Sequence, residues 1–188
     1  IVSRKKTNRN KTELTFRAGS FESQRYNLES AASLGAVRIW GSANYLNSNG
    51  ADVYVASDAL SASSVNNTLS NAPGYTSEWV ERTTLNLSAE TDHVRFQGQY
   101  IDHHDGGFFN PGMSLTDQTK INRDYFWTSL GYENNYLDNQ LTVKTKLSYN
   151  RYNHDYDVAA QPAGFSNANY TYVNGIRSIT EAIVDEYG

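Results

Sequence analysis

The decapeptide Tyr100-Ile-Asp-His-His-Asp-Gly-Gly-Phe-Phe109 concentrates the residue types that do chemistry: two adjacent imidazoles between two carboxylates, then two glycines and two phenylalanines. Imidazole and carboxylate both carry protons and both bind borderline metal ions. A metal site needs donors that converge. Adjacent residues of an extended chain point to opposite sides, so His103 and His104 do not close on one ion. His93 falls in a turn at the far end of the same strand, and His154 in a separate loop. The chain contains no Gly-rich phosphate loop, no nucleophile elbow and no carboxylate pair of defined spacing. No catalytic residue, metal or cofactor is therefore assigned, and the reading is not an enzyme. Asn66-Asn67-Thr68 and Asn169-Tyr170-Thr171 match the glycosylation acceptor pattern, but so does Asn86-Leu87-Ser88 inside a strand pattern, so the match discriminates poorly.

The element that carries the decapeptide decides its meaning. With 188 residues the chain is long enough for one medium domain. It contains no cysteine, which leaves no disulfide framework and no thiolate metal site. A net charge of −4 gives no general reason to expect nucleic acid. The basic run from Arg4 to Lys11 reads as a solvated linker. No apolar stretch approaches the roughly 18 residues of a spanning helix, and the first residues do not form a signal peptide. The start at Ile1-Val2-Ser3, without an initiator methionine, reads as a processed or cut N-terminus. Fourteen tyrosines combine with a mean hydropathy of −0.65, a composition that suits extended strands and long polar loops.

Alternation of period two recurs along the chain. Leu14, Phe16 and Ala18 oppose Glu13, Thr15 and Arg17; Tyr26 and Leu28 oppose Arg25, Asn27 and Glu29. Val37, Ile39, Gly41, Ala43 and Tyr45 oppose Arg38, Ser42 and Asn44, with Trp40 an exception on the polar side. The pattern continues through 82–89, 94–100 and 126–132, and through 141–150 with Leu141, Val143, Leu147 and Tyr149 on one face. About seven strands of roughly 8–11 residues result. Their connections alternate between short (near 33–35, 90–93 and 134–140) and long (near 47–79, 103–123 and 152–178). Long loops of that kind are uncommon in compact soluble domains, whereas transmembrane β-barrels have them on one side only. Three strands that follow short turns end their apolar face in Tyr45, Tyr100 and Tyr149, as an interfacial aromatic girdle would. The expected fold is an all-β, antiparallel transmembrane β-barrel segment of about seven to eight strands.

With the strands placed, two stretches point to a family. "IVSRKK" resembles the last plug strand of TonB-dependent outer-membrane receptors, and "LTFRAGSFESQRYNLESAASLGAVRIWGSANYLNSNG" resembles their first three barrel strands. The Gly19-Ser20-Phe21 turn and the Leu34-Gly35 turn carry that resemblance, strong over 1–50 and looser to about 152. It implies a division into 1–12, the plug's end and linker, and 13–188, the N-terminal part of an incomplete barrel. Because the family's barrel has 22 strands around a plug, and "EAIVDEYG" lacks a terminal aromatic, the chain is expected to be a fragment. The implied function is active import across the bacterial outer membrane of a scarce siderophore, cobalamin or glycan. The implied partners are outer-membrane lipid, the plug domain of the same receptor, TonB indirectly through the missing N-terminal region, and a small-molecule ligand. The same resemblance turns Arg17, Arg25, Arg38, Arg82 and Arg95 toward plug and lumen.

On this placement the decapeptide opens an extracellular loop. His103, His104, Asp105, Phe108 and Phe109, with Asp155 and Tyr156 in the third long loop, are candidate ligand contacts; solvated loop polars beside Gly106-Gly107 are the plainer reading. The conformations of 56–69 and 179–186 stay open between helix and extended chain. Two other functions fit the same alternation: a self-contained eight-stranded outer-membrane barrel acting as adhesin or anchor, and a soluble carbohydrate-binding β-sandwich offering Trp40, Trp79 and Trp127.

Overall fold

The computed structural model describes residues 10–109 and 113–187; the side chains of Phe108, Phe109 and Arg177 lie outside what is described, as do residues 1–9 of the segment 1–12 expected to be a plug's end and linker. The chain folds as strands β1 (Lys11–Ala18), β2 (Gln24–Leu34), β3 (Val37–Ser48), β4 (Tyr54–Val55), β5 (Gly74–Tyr75) and β6 (Val80–Glu90). They are followed by β7 (Val94–Phe109), β8 (Leu115–Tyr136), β9 (Leu141–Gln161), β10 (Phe165–Ser166), β11 (Thr171–Tyr172) and β12 (Ile176–Tyr187). Eight of these form one antiparallel sheet in the order β1-β2-β3-β6-β7-β8-β9-β12, and β4-β5 and β10-β11 are two-stranded ladders within connections. The sheet is open, with β1 and β12 as its edges.

The short turns fall where the sequence puts them, at 35–36, 91–93 and 137–140. Gly35 takes a positive φ of 62°, which suits a residue without a Cβ, and Leu137, Asp138 and Asn139 take positive φ in succession. The long connections differ from expectation. β7 runs on through the histidines to Phe109, and β8 starts at Leu115, so the loop expected over 103–123 is instead a tall hairpin. Likewise β9 reaches Gln161 and β12 begins at Ile176, which shortens the loop expected over 152–178. The physical reason is that period-two contrast disappears above Tyr100 while the ladder does not. There both faces are polar, and side chains pair across strands, as His104 does with Asn122 and Asn153 with Asp124. Gly106 and Gly107, a loop signal in sequence, are close-approach positions in a strand. A Cβ on Gly106 would meet Trp79 Nε1 at 2.5 Å, and one on Gly107 would meet Thr119 Cγ2 at 2.6 Å. Over 56–69 the helical content is one 3₁₀ turn, Asn67–Leu69, and 179–186 is strand.

The apolar face runs in straight register rows. Ile39, Ala89, Phe96, Leu130 and Leu147 form one; Leu28, Ala43, Leu85, Tyr100 and Phe126 form another. Against these rows Tyr45, Tyr100 and Tyr149 drift. Tyr45 lies level with Asp102, two residues above Tyr100, and Tyr100 lies level with Arg151, two residues above Tyr149. The tyrosine line therefore climbs one residue per strand. With about 3.3 Å of rise and about 4.8 Å between strands, that slope is about 35°.

The buried apolar side chains lie beyond this line, in the 49–79 connection and the upper ends of β8 and β9. Among the described residues the buried apolar side chains are Leu60, Ala72, Leu115 and Ala159, and Ser114 is 1% exposed. Asp58 clasps this end together. Its Oδ1 accepts from the Ser61 N–H at 2.7 Å and the Ser70 hydroxyl at 2.8 Å, and its Oδ2 from the Leu115 N–H at 2.8 Å. Asn66 makes a two-way bond to the Ser166 backbone, both at 2.8 Å, joining the 49–79 connection to β10. Burial alone would raise the Asp58 pKa, but the N–H donors of Ser61 and Leu115 and the hydroxyls of Ser70 and Ser61 outweigh it, holding it below 3.8. The clasp is therefore complete above pH 3.8 and weakens as pH falls through the lowered value. Asp58→Asn turns an N–H₂ toward one of these donors at a cost of about 1–3 kcal/mol. It is expected to speed amide exchange at Leu115 by about tenfold or more at neutral pH; unchanged exchange there would show that the clasp does not hold the connection to β8.

Candidate functional site

Above the tyrosine line, β6 to β9 place the candidate residues in register. On the polar face of the sheet Arg82 pairs with His103, His103 with Arg123, and Arg123 with His154. Arg17 and Arg25 continue the same row through Leu46 on β1 to β3. The row above contains Val80, Asp105, Ile121 and Tyr156; the row below contains Thr84, Ile101, Tyr125 and Tyr152. In these three rows of β6 to β9, Asp105 is the one carboxylate. Its Oδ1 lies 3.4 Å from both His103 Nε2 and Arg123 Nη1. Those are ionic contacts without hydrogen-bond alignment, since the same oxygen has no hydrogen-bond partner by geometry. Arg82 Nε and His154 Nε2 are also buried atoms without a hydrogen-bond partner among the described residues. The His154 ring stacks on Tyr156 at 3.8 Å, and its Nδ1 lies 3.2 Å from the Tyr152 hydroxyl. When Tyr152 donates to Nδ1, the ring proton resides on Nε2, which is then a donor.

The other face carries a different set. His104 Nε2 meets Asp102 Oδ1 at 2.7 Å, and its Nδ1 meets Asn122 Oδ1 at 2.7 Å. Asn122 in turn donates to Asp155 Oδ2 at 3.4 Å. Asp102 pairs directly with Asp124 across the ladder. Burial, then the hydrogen bond with Asp124, raises the Asp102 pKa above 3.8.

The two histidines thus diverge, as extended backbone requires. Asp105 and Tyr156 join His103 on the polar face; Asp155 joins His104 on the opposite face. The candidates Phe108 and Phe109 lie in β7, with side chains outside the described residues. The sequence pattern does not bring Arg123 and His154 together with these residues, because it places both in long connections. The signal for them is register: counting back from the short turns pairs Arg82 with His103 and Arg123 with His154. Two guanidiniums and two imidazoles beside a single carboxylate give the polar-face patch a cationic character.

Protein-family models, characterised proteins and solved structures all give no match to this chain.

The three histidines stand three or more residues beyond the tyrosine line, and their surroundings pull them apart. The Asn122 hydrogen bond, helped by Asp102 and opposed by burial, raises the pKa of His104 above 6.5. Burial lowers that of His103, and the arginines Arg123 and Arg82 add to it against Asp105. Burial and Arg123 likewise lower that of His154. By linkage, His104 stabilises the fold below pH 6.5 and loses this as pH rises through its raised value. His103 and His154 do the reverse, destabilising the fold as pH falls below 6.5. A ¹H–¹⁵N titration of the imidazoles should place His104 above 6.5 and His103 and His154 below it; the opposite order would contradict this arrangement.

Proposed function

We propose that this chain forms part of the wall of an outer-membrane β-barrel transporter of the TonB-dependent receptor class, importing a scarce ligand. The carrying observation is the apolar face. It is wide, continuous in register and uncovered: Leu85, Leu87, Phe126, Leu130 and Leu147 are all exposed. No second large sheet packs on either face among the described residues, as a soluble sandwich would need. A face of this kind is the expected partner of lipid tails.

Three further observations support the reading. The slope of about 35° matches the tilt of strands in membrane barrels. The outward set from Leu141 to Tyr149 spans about 22 Å at that tilt, close to the band of about 25 Å that such barrels present. At the other margin of the band Tyr132 and Tyr136 lie together on the apolar face, their hydroxyls in hydrogen-bond contact, which suits a second interfacial girdle. Long hairpins and packed connections then lie on the outer side, where capture of a siderophore, cobalamin or glycan takes place in this reading.

The polar face would line the lumen and meet a plug domain. Its contacts suit a breakable interface: Asn86 donates to Ser42 at 3.0 Å and receives from Gln99 at 2.8 Å, and Glu90 bridges Arg38 and Arg95. The open edges at β1 and β12 would be shielded by further strands of a larger barrel, because unpaired backbone is not tolerated in lipid. TonB would act through the plug, at a distance from these residues.

The chain contains no cysteine, which allows single nitroxide labels to test the faces directly. Labels at Leu87, Leu130 and Leu147, in the full-length protein reconstituted in vesicles, should be accessible to oxygen and protected from a water-soluble nickel chelate. Labels at Asn86 and Lys146 should show the reverse. Uniform accessibility to the chelate would end the membrane reading. In the same system Leu130→Arg should cost about 2–4 kcal/mol of stability.

A further inference from the structure

We propose that the row Arg82–His103–Arg123–His154 recognises a small polyanion, a ligand bearing two or more carboxylate or phosphate groups. The inference rests on the transporter reading for its setting and narrows the ligand class within it. The first reason is charge. Four neighbouring strands present two permanent cations and two imidazoles at one height, and Asp105 is the sole carboxylate within a row of them. The second is incomplete satisfaction. Asp105 reaches His103 and Arg123 only at 3.4 Å, and among the described residues Arg82 Nε, and His154 Nε2 in the tautomer that protonates it, are buried without acceptors. Buried donors in a native fold normally have partners, and an acceptor-rich ligand supplies them.

The third reason is shape. From Arg82 to His154 is three strand spacings, about 14 Å, which several anionic groups on one small molecule can span. Tyr152 and Tyr156 flank the row on the same face and offer ring surfaces to the carbon skeleton between those groups. A neutral glycan would leave the cations unmatched, so the row selects against it.

Calorimetric titration of the full-length protein in detergent with citrate, pyrophosphate and the uncharged trisaccharide raffinose tests the assignment. Citrate or pyrophosphate should bind and raffinose should not; whichever anion binds more tightly separates a carboxylate from a phosphate ligand. Arg82→Gln and Arg123→Gln should each weaken binding at least tenfold, Arg82→Lys should retain part of it, and Arg151→Gln, on the opposite face, should leave it unchanged. The unaltered protein gives a check that needs no variant: affinity should fall as NaCl rises from about 50 to about 500 mM. Absence of anion binding, or binding indifferent to Arg82 and Arg123, overturns the proposal. If the Leu130 label reports lipid and neither anion binds, the row's role falls and the transporter reading stands. If an anion binds through Arg82 and Arg123 while the label reports water, the anion site stands and the transporter reading falls.

Discussion

A one-layer sheet cannot bury its own faces, and every other feature of this molecule answers to that constraint. Eight strands are held side by side by backbone hydrogen bonds, yet among the described residues no second layer packs on the apolar face: Leu14 is 74% exposed and Leu147 62%. A buried leucine contributes roughly 1.5–3 kcal/mol, and most of that is unrealised while the face meets water. The fold is therefore completed by whatever covers this face. Lipid is suited to it because it also tolerates only structures whose backbone groups are paired, which the ladder already achieves in its interior.

The opposite face solves the same problem differently. Its residues form short cross-strand bonds among amides, hydroxyls and ions, each worth about 0.2–1 kcal/mol, so no single contact dominates. Such a face is comfortable in water and forms contacts that can be exchanged. Beyond Tyr100 the two faces become alike, and stability is taken over by the end of the molecule where connections pack. There Asp58 and Asn66 bind backbone groups of distant segments, converting what would be separate loops into one packed unit resting on β8. The same strands thus pass from a region organised by apolar contrast to one organised by hydrogen bonding, without a break in the ladder.

That change of regime explains what was legible in the sequence. Where one face is apolar, alternation reveals strands, facing and short turns, and β2, β3, β6 and the lower parts of β7 to β9 follow from it. Above Tyr100, His103, Asp105 and Arg123 alternate with Asp102, His104 and Asp124, polar against polar, so periodicity has nothing to detect. Gly106-Gly107 then reads as a turn, although the glycines are there because Trp79 and Thr119 approach too closely for a Cβ. Local turns do fix two of the three pairings in the cation row, since Glu90–Arg95 and Tyr136–Leu141 set the register of their hairpins. The third, His103 with Arg123, depends on how the β7–β8 hairpin closes, with a register shift between Gly107 and Phe109 that no local signal announces.

The height of the cation row follows from these regimes. Lower on the strands, arginines on the polar face are already matched, as Arg38 and Arg95 are by Glu90. Higher, the 49–79 connection binds β8 through Asp58 and β10 through Asn66. Between them, His103 and Arg123 share Asp105, which aligns with neither as a hydrogen bond. Complete neutralisation would need a second carboxylate from the protein and would leave nothing for a ligand to gain. Removing Asp105 altogether would leave the Arg123 guanidinium beside His103 on the adjacent strand with no carboxylate between them. A single, loosely held carboxylate holds the row together while leaving its capacity unfilled, and an incoming anion has only 3.4 Å contacts to displace.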